Sequence, residues 1–211
     1  MKGNKNNNKK GFTLVELVVV IAIIGILATI IIPVILGKIK NANRKSDMTA
    51  GKEIGNAVIG ALLDPEAEEA FYKYNTTKFT IKYPDEPSYV LVVVCKIDGI
   101  KGNKAGNPQC KIWTQGNKEA KPFCDEMNSS MKFAVSDSAA GIPMRYTGDL
   151  SGKKMTRWIV GYRKNSKETI EVWAADGTGT WGCLPVHRVY PVADKEYTNG
   201  TKVSPSVTAG G

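Results

Sequence analysis

The chain has 211 residues and a formal charge of +9, from 29 Lys and Arg against 20 Asp and Glu. Four of the lysines, Lys2, Lys5, Lys9 and Lys10, lie in the first ten residues, and without them the excess falls to +5. That length suits one long helix and one domain of about 140 residues with its own core. The remaining basic excess reads as a solvated surface of mixed charge. No Lys- or Arg-rich run with interleaved aromatics marks a nucleic-acid site in the second part of the chain.

The first informative segment is Gly11-Phe12-Thr13-Leu14-Val15-Glu16-Leu17. It follows the Lys-rich start and opens a run of twenty uncharged residues, Leu17 to Leu36. The 21 residues from Leu17 to Gly37 span about 31 Å as a helix, enough to cross a bilayer. A secretory signal peptide is shorter and ends in a small-residue cleavage site, whereas here the plausible cut lies before the run. Glu16 at its mouth costs several kcal/mol in lipid unless it meets a partner. A simple anchor has no use for it. Lysines precede the run and Lys38, Lys40, Arg44 and Lys45 follow it, so the positive-inside rule is nearly tied.

These residues resemble the prepilin motif of type IV pilins over residues 1 to 60. The resemblance implies an α+β fold: a long N-terminal helix packed by its second half on an antiparallel β-sheet head. It implies cleavage of a leader, residues 1–11, between Gly11 and Phe12 by a prepilin peptidase, and N-methylation of the new amine on Phe12. Residues 12–37 would form a transmembrane and filament-core helix, kinked at Pro33. Residues 38–63 would be its amphipathic half, 64–197 the extracellular head and 198–211 a flexible tail. Glu16 would pair with the Phe12 amine of a neighbouring subunit during assembly. Such a chain is a structural polymer and not an enzyme. It forms a helical homo-oligomer, built by a platform protein and a cytoplasmic ATPase. It is a single-pass membrane protein first and an extracellular pilus afterwards, meeting host surfaces, other cells or DNA in adhesion, motility or DNA uptake. A pseudopilin of a type II secretion or competence system shares the whole motif. A membrane-anchored extracellular binding module is the rival of another class, and Glu16 speaks against it.

Further along, Ile54, Ala57, Val58, Ala61 and Leu62 recur at helical spacing and mark one apolar stripe. Gly25, Gly37, Gly51, Gly55 and Gly60 soften this helix, each costing up to about 1 kcal/mol against Ala, and suit close packing or local melting. Asp64-Pro65-Glu66 starts a second helix, with Asp64 as cap and Pro65 in the first turn. That helix should run to Tyr74. Strands are expected at Tyr89 to Cys95, Cys110 to Thr114, Arg157 to Arg163 and Glu168 to Ala174. The last two form a hairpin around Lys164 to Lys167. Residues 115 to 156 read as mostly irregular, and the tail from Thr198 as mobile.

The four cysteines, Cys95, Cys110, Cys124 and Cys183, suggest two disulfides in an exported head. Three pairings exist; Cys95–Cys110 with Cys124–Cys183 is preferred. No pair has the two-residue spacing of a zinc site, so no metal is assigned. His187 reads as a surface or packing residue, with no nucleophile motif beside it. No catalytic residue and no cofactor is assigned. Asp176 to Thr180 reads as a glycine turn rather than a calcium loop.

Overall fold

The structure is a computed structural model and describes residues 12–73, 77–83, 86–98, 121–131, 142–146, 155–178, 184–200 and 206–209. The elements are α1 (Leu14–Ala61), α2 (Pro65–Lys73), β1 (Thr77–Tyr83), β2 (Glu86–Asp98), α3 (Lys121–Ser130), β3 (Arg157–Arg163), β4 (Ser166–Ala175), β5 (Pro185–Tyr190), α4 (Lys195–Asn199) and β6 (Ser206–Ala209). The chain divides into two compact units, one ending at Lys40 and one starting at Asn41.

The first unit holds the N-terminal part of α1. An 18-residue window has a mean hydropathy of 3.2 and none of it is buried. The helix is therefore apolar all round and long enough to cross a membrane. It continues unbroken through Pro33. Pro33 has no N–H to give the Thr29 carbonyl, and the Thr29 hydroxyl donates to the Ile26 carbonyl at 2.7 Å.

In the second unit α1 becomes one-sided. Asp47, Ala50, Gly51, Ile54, Gly55, Ala57, Val58 and Ala61 are buried, at the spacing of one helix face. Two glycines bring this face close to β5. A Cβ added at Gly51 would lie 2.6 Å from a Val189 methyl, and one at Gly55 would lie 2.6 Å from the Tyr190 ring. Close packing is thus the use of these two glycines, and neither marks a break in the helix.

Among the described residues, six strands form one sheet in the order β5-β4-β3-β2-β1-β6, every neighbour antiparallel. Both faces are buried. Val92, Val94, Val160, Val172 and Ala174 share a core with α1, while Leu91, Val93, Ile159 and Trp173 join Phe79 and Ile81 in a second cluster. Burial on both sides explains the unbroken apolar run of β2. A bulge between Val93 and Cys95 shifts the register against β3. It interrupts the alternation, so Cys95 and Ile97 return to the face of Val92 and Val94.

α2 starts as its sequence suggests. Asp64 Oδ1 accepts the backbone N–H groups of Glu66 at 3.0 Å and Ala67 at 2.9 Å. Phe71 of α2 meets Phe123 of α3 at 4.8 Å and Tyr162 of β3 at 5.7 Å between ring centroids.

The α+β architecture and the β3–β4 hairpin agree with the sequence reading. Three expectations differ. Lys121–Ser130 is a helix inside the stretch expected to be irregular, because Phe123 and Met127 supply a buried face. The tail is not wholly free: Thr198 and Asn199 belong to α4, and Ser206–Ala209 pairs with β1 as β6. Backbone pairing to an edge strand needs no apolar signature, which is why a small polar tail hid it. β1 and β5 were also not anticipated. The strand expected at Cys110 to Thr114 lies outside the described residues.

Candidate functional site

The motif segment opens α1. Leu14 is the first helical residue, so Thr13 takes the cap position and Glu16 the third helical one. The Thr13 hydroxyl oxygen accepts the Glu16 N–H at 3.2 Å. Glu16 Oε2 accepts the Thr13 N–H at 2.8 Å and the Thr13 hydroxyl at 2.9 Å. This reciprocal pattern is a capping box and satisfies two donors that a helix start otherwise leaves open. Sequence reasoning missed it, although the Thr-x-x-Glu spacing carries the signal. Oε2 takes both Thr13 donors; among the described residues Oε1 accepts none. The cap thus engages only one of the two carboxylate oxygens. Phe12, 92% exposed, lies just before the cap. Gly11, and with it the expected scission, lies outside the described residues.

Two buried polar clusters organise the second unit, and neither was anticipated. Asp47 of α1 accepts the backbone N–H groups of Arg145 at 2.8 Å and Tyr146 at 2.7 Å, and the Tyr197 hydroxyl at 3.0 Å. Burial raises its carboxyl above the ordinary value, with these three donors pulling the other way. Burial, then the Asp47 charge, pushes the Tyr197 phenol far up. Arg44, one turn before Asp47, bonds Asn41 and lies 5.2 Å from the centre of the Tyr146 ring. The second cluster centres on Glu171 of β4. It accepts Arg163 Nε at 2.9 Å, Tyr89 hydroxyl at 3.0 Å and Trp173 Nε1 at 2.9 Å, with Arg188 Nη1 at 3.5 Å. A buried acid so surrounded holds strands together.

The remaining candidates are structural. His187 is buried, its Nδ1 3.2 Å from Asp194 Oδ2, its ring 5.3 Å from that of Tyr197. Asp194 also caps α4 through the Tyr197 N–H at 2.7 Å. Asp176 Oδ1 accepts the Thr178 N–H and hydroxyl at 2.8 and 2.7 Å, a side-chain-closed turn. Among the described residues no group of three His, Cys, Asp or Glu could hold a metal ion. Cys95 is buried in β2, and Cys124 of α3 packs against the same core. Cys110 and Cys183 lie outside the described residues, and both expected disulfides with them.

A family model described as the prokaryotic N-terminal methylation motif matches residues 6–32. The chain is also 31% identical over 121 residues to a protein described as type IV major alpha-pilin from Moraxella bovis, covering 54% of this chain and 74% of that one. The chain belongs to the type IV pilin family. This pilin carries the family motif on the capped start of α1, and the family is structural, not enzymatic. No solved structure matches it.

Proposed function

We propose that this pilin polymerises into a surface filament through the N-terminal part of α1. In this reading a prepilin peptidase cuts between Gly11 and Phe12, and the Phe12 amine is methylated. Residues 12–37 first span the membrane, then pack with other copies as the filament core, with Pro33 bending the helix. A platform protein and an ATPase drive assembly, and the heads meet surfaces, cells or DNA.

The observation that carries the reading is Glu16. It stands before twenty uncharged residues, and its cap leaves Oε1 open. Two opposite charges in low dielectric attract strongly, and each alone is costly. The pair with a neighbour's Phe12 amine therefore sets axial register more than it adds net stability.

Electron microscopy of surface filaments with antibody to this chain, joined to mass spectrometry of the purified filaments, tests the proposal. Labelled filaments whose subunits start at methylated Phe12 are expected. A bulkier residue at Gly11 should leave residues 1 to 11 attached. Absent filaments together with a secretion or DNA-uptake defect would indicate a pseudopilin, and neither would indicate a membrane-anchored binding module.

A further inference from the structure

A groove of about 770 Å³ opens between the second half of α1 and the C-terminal end of α3. Small-molecule sites occupy about 300 to 1,000 Å³, so its size suits one. Glu53, Asn56 and Gly60 form the α1 side and lie within about 60° of one line along the helix. Ser130 and Met131 form the α3 side, and Ile142 a third wall. These walls are anchored. The Ile142 carbonyl accepts the Trp158 Nε1–H at 3.0 Å, and the Tyr146 N–H, four residues on, is held by Asp47 at 2.7 Å. The Met131 N–H donates to the carbonyl of buried Met127 at 3.0 Å. Gly60 leaves the floor open, because a Cβ added there would meet only the Ser130 hydroxyl, at 3.7 Å.

Both ends of the groove are negative. At one end Glu53 is exposed, and the positions three and four residues from it are Thr49, Ala50, Asn56 and Ala57, none of them basic. Among the described residues Glu53 has no basic partner. At the other end stands the C-terminus of α3. The last carbonyls of a helix lack intrahelical donors and carry its negative pole. The last turn of α3 contains no basic residue to offset that pole. Glu53 and Gly60, which faces Ser130, are seven residues apart, so about 10 Å separates the two ends. Between them lie the uncharged side chains of Ala57, Met131 and Ile142.

We propose that this groove binds a linear aliphatic polyamine, with one ammonium at Glu53, another at the end of α3 and the methylene chain between them. The carboxylate and the helix end select positive charge. Their separation selects a chain with amines at both ends, and the uncharged walls cover its methylenes as they would the stem of a lysine. The site lies wholly within the second unit, so binding stands whether or not the chain polymerises.

Equilibrium dialysis of labelled spermidine against the full-length pilin in a non-ionic detergent tests it. Spermidine should bind at a single saturable site, more weakly as salt rises. Glu53→Gln should weaken binding about fivefold, the upper end for an exposed charge pair. Gly60→Leu keeps a good helix former at that position and fills the groove, so it should abolish binding. Glu66→Gln with Glu68→Gln removes two exposed acids of α2 outside the groove and should leave the affinity unchanged. Putrescine, too short to reach both ends, should bind about fivefold more weakly than spermidine. Binding that survives both Glu53→Gln and Gly60→Leu, or that follows the α2 acids, overturns the proposal in favour of general charge attraction. Absence of saturable binding overturns it outright. Nα-acetyl-lysine methylamide binding as tightly as spermidine also overturns it, and assigns the groove to a lysine side chain of a partner protein.

Discussion

Asp47 on α1 accepts a 3.0 Å hydrogen bond from the hydroxyl of Tyr197 on α4, 150 residues further along the chain. The same carboxylate also takes the N–H groups of Arg145 and Tyr146. One buried acid therefore ties the helix to two separate segments of the head.

Asp47→Ala would leave a phenol and two backbone donors buried without this acceptor. The expected loss is about 3 kcal/mol of unfolding free energy. Asp47→Asn retains one acceptor oxygen but turns an amide N–H2 towards the donors, so it should lose about 2 kcal/mol. Urea unfolding of the detergent-solubilised chain measures both. A loss within about 0.5 kcal/mol for the alanine, the range of an ordinary surface substitution, would show that the network is dispensable.

The pH dependence follows from the same carboxyl. Its value in the fold is raised above the ordinary 3.8, chiefly by burial. A group that protonates more readily when folded contributes stability below 3.8 that is lost as pH rises through its folded value. Relative to Asp47→Asn, the wild-type chain should therefore lose stability as pH rises from 3.8 towards neutrality. Unfolding titrations of the two chains at several pH values give the difference, and one that grows with pH would contradict this sign.

Glycine positions on α1 should diverge. Gly55→Ala places a Cβ 2.6 Å from the Tyr190 ring. It should cost about 1–3 kcal/mol by overpacking, despite the helix propensity of Ala. At Gly60 the nearest contact is the Ser130 hydroxyl at 3.7 Å, so Gly60→Ala fits without strain. That change should be neutral or gain up to about 1 kcal/mol. Thermal unfolding in detergent ranks the pair, and equal effects would refute the close approach to β5.

At Glu16 two roles can be separated. Glu16→Val removes both the cap bond and the charge, whereas Glu16→Gln keeps a capping side chain and removes only the charge. If charge pairing registers subunits, both variants should insert, lose the leader and enter filaments poorly. If the cap is what matters, the glutamine variant should make filaments in normal number. Counting filaments by microscopy against subunit in the membrane fraction separates these outcomes.

Two disulfides are expected in the head. Non-reducing mass spectrometry after denaturation should detect no reactive thiol, with Cys95–Cys110 and Cys124–Cys183 as the linked peptides. Four alkylated cysteines would remove the disulfides from the account.

The N-terminal residues are legible as a sequence because their physics is local. The Gly11-Phe12-Thr13-Leu14-Val15-Glu16 run, the uncharged stretch behind it and the Asp64-Pro65-Glu66 cap each depend on neighbours a few residues away. The β3–β4 hairpin is legible for the same reason, through alternation around the short Lys164–Asn165 turn. Asp47, by contrast, reads as an ordinary acid on a helix, because its partners lie 98 to 150 residues away. Glu171 likewise gathers Tyr89 from another strand. β6 acquires its strand chiefly from the free edge of β1, with Val207 as its one contact to the second cluster. Period, charge and capping chemistry specify α1, the start of α2 and the end that carries the family motif. Partner choice across the sheet awaits chain closure, when burial makes each unpaired polar group costly enough to select its neighbour.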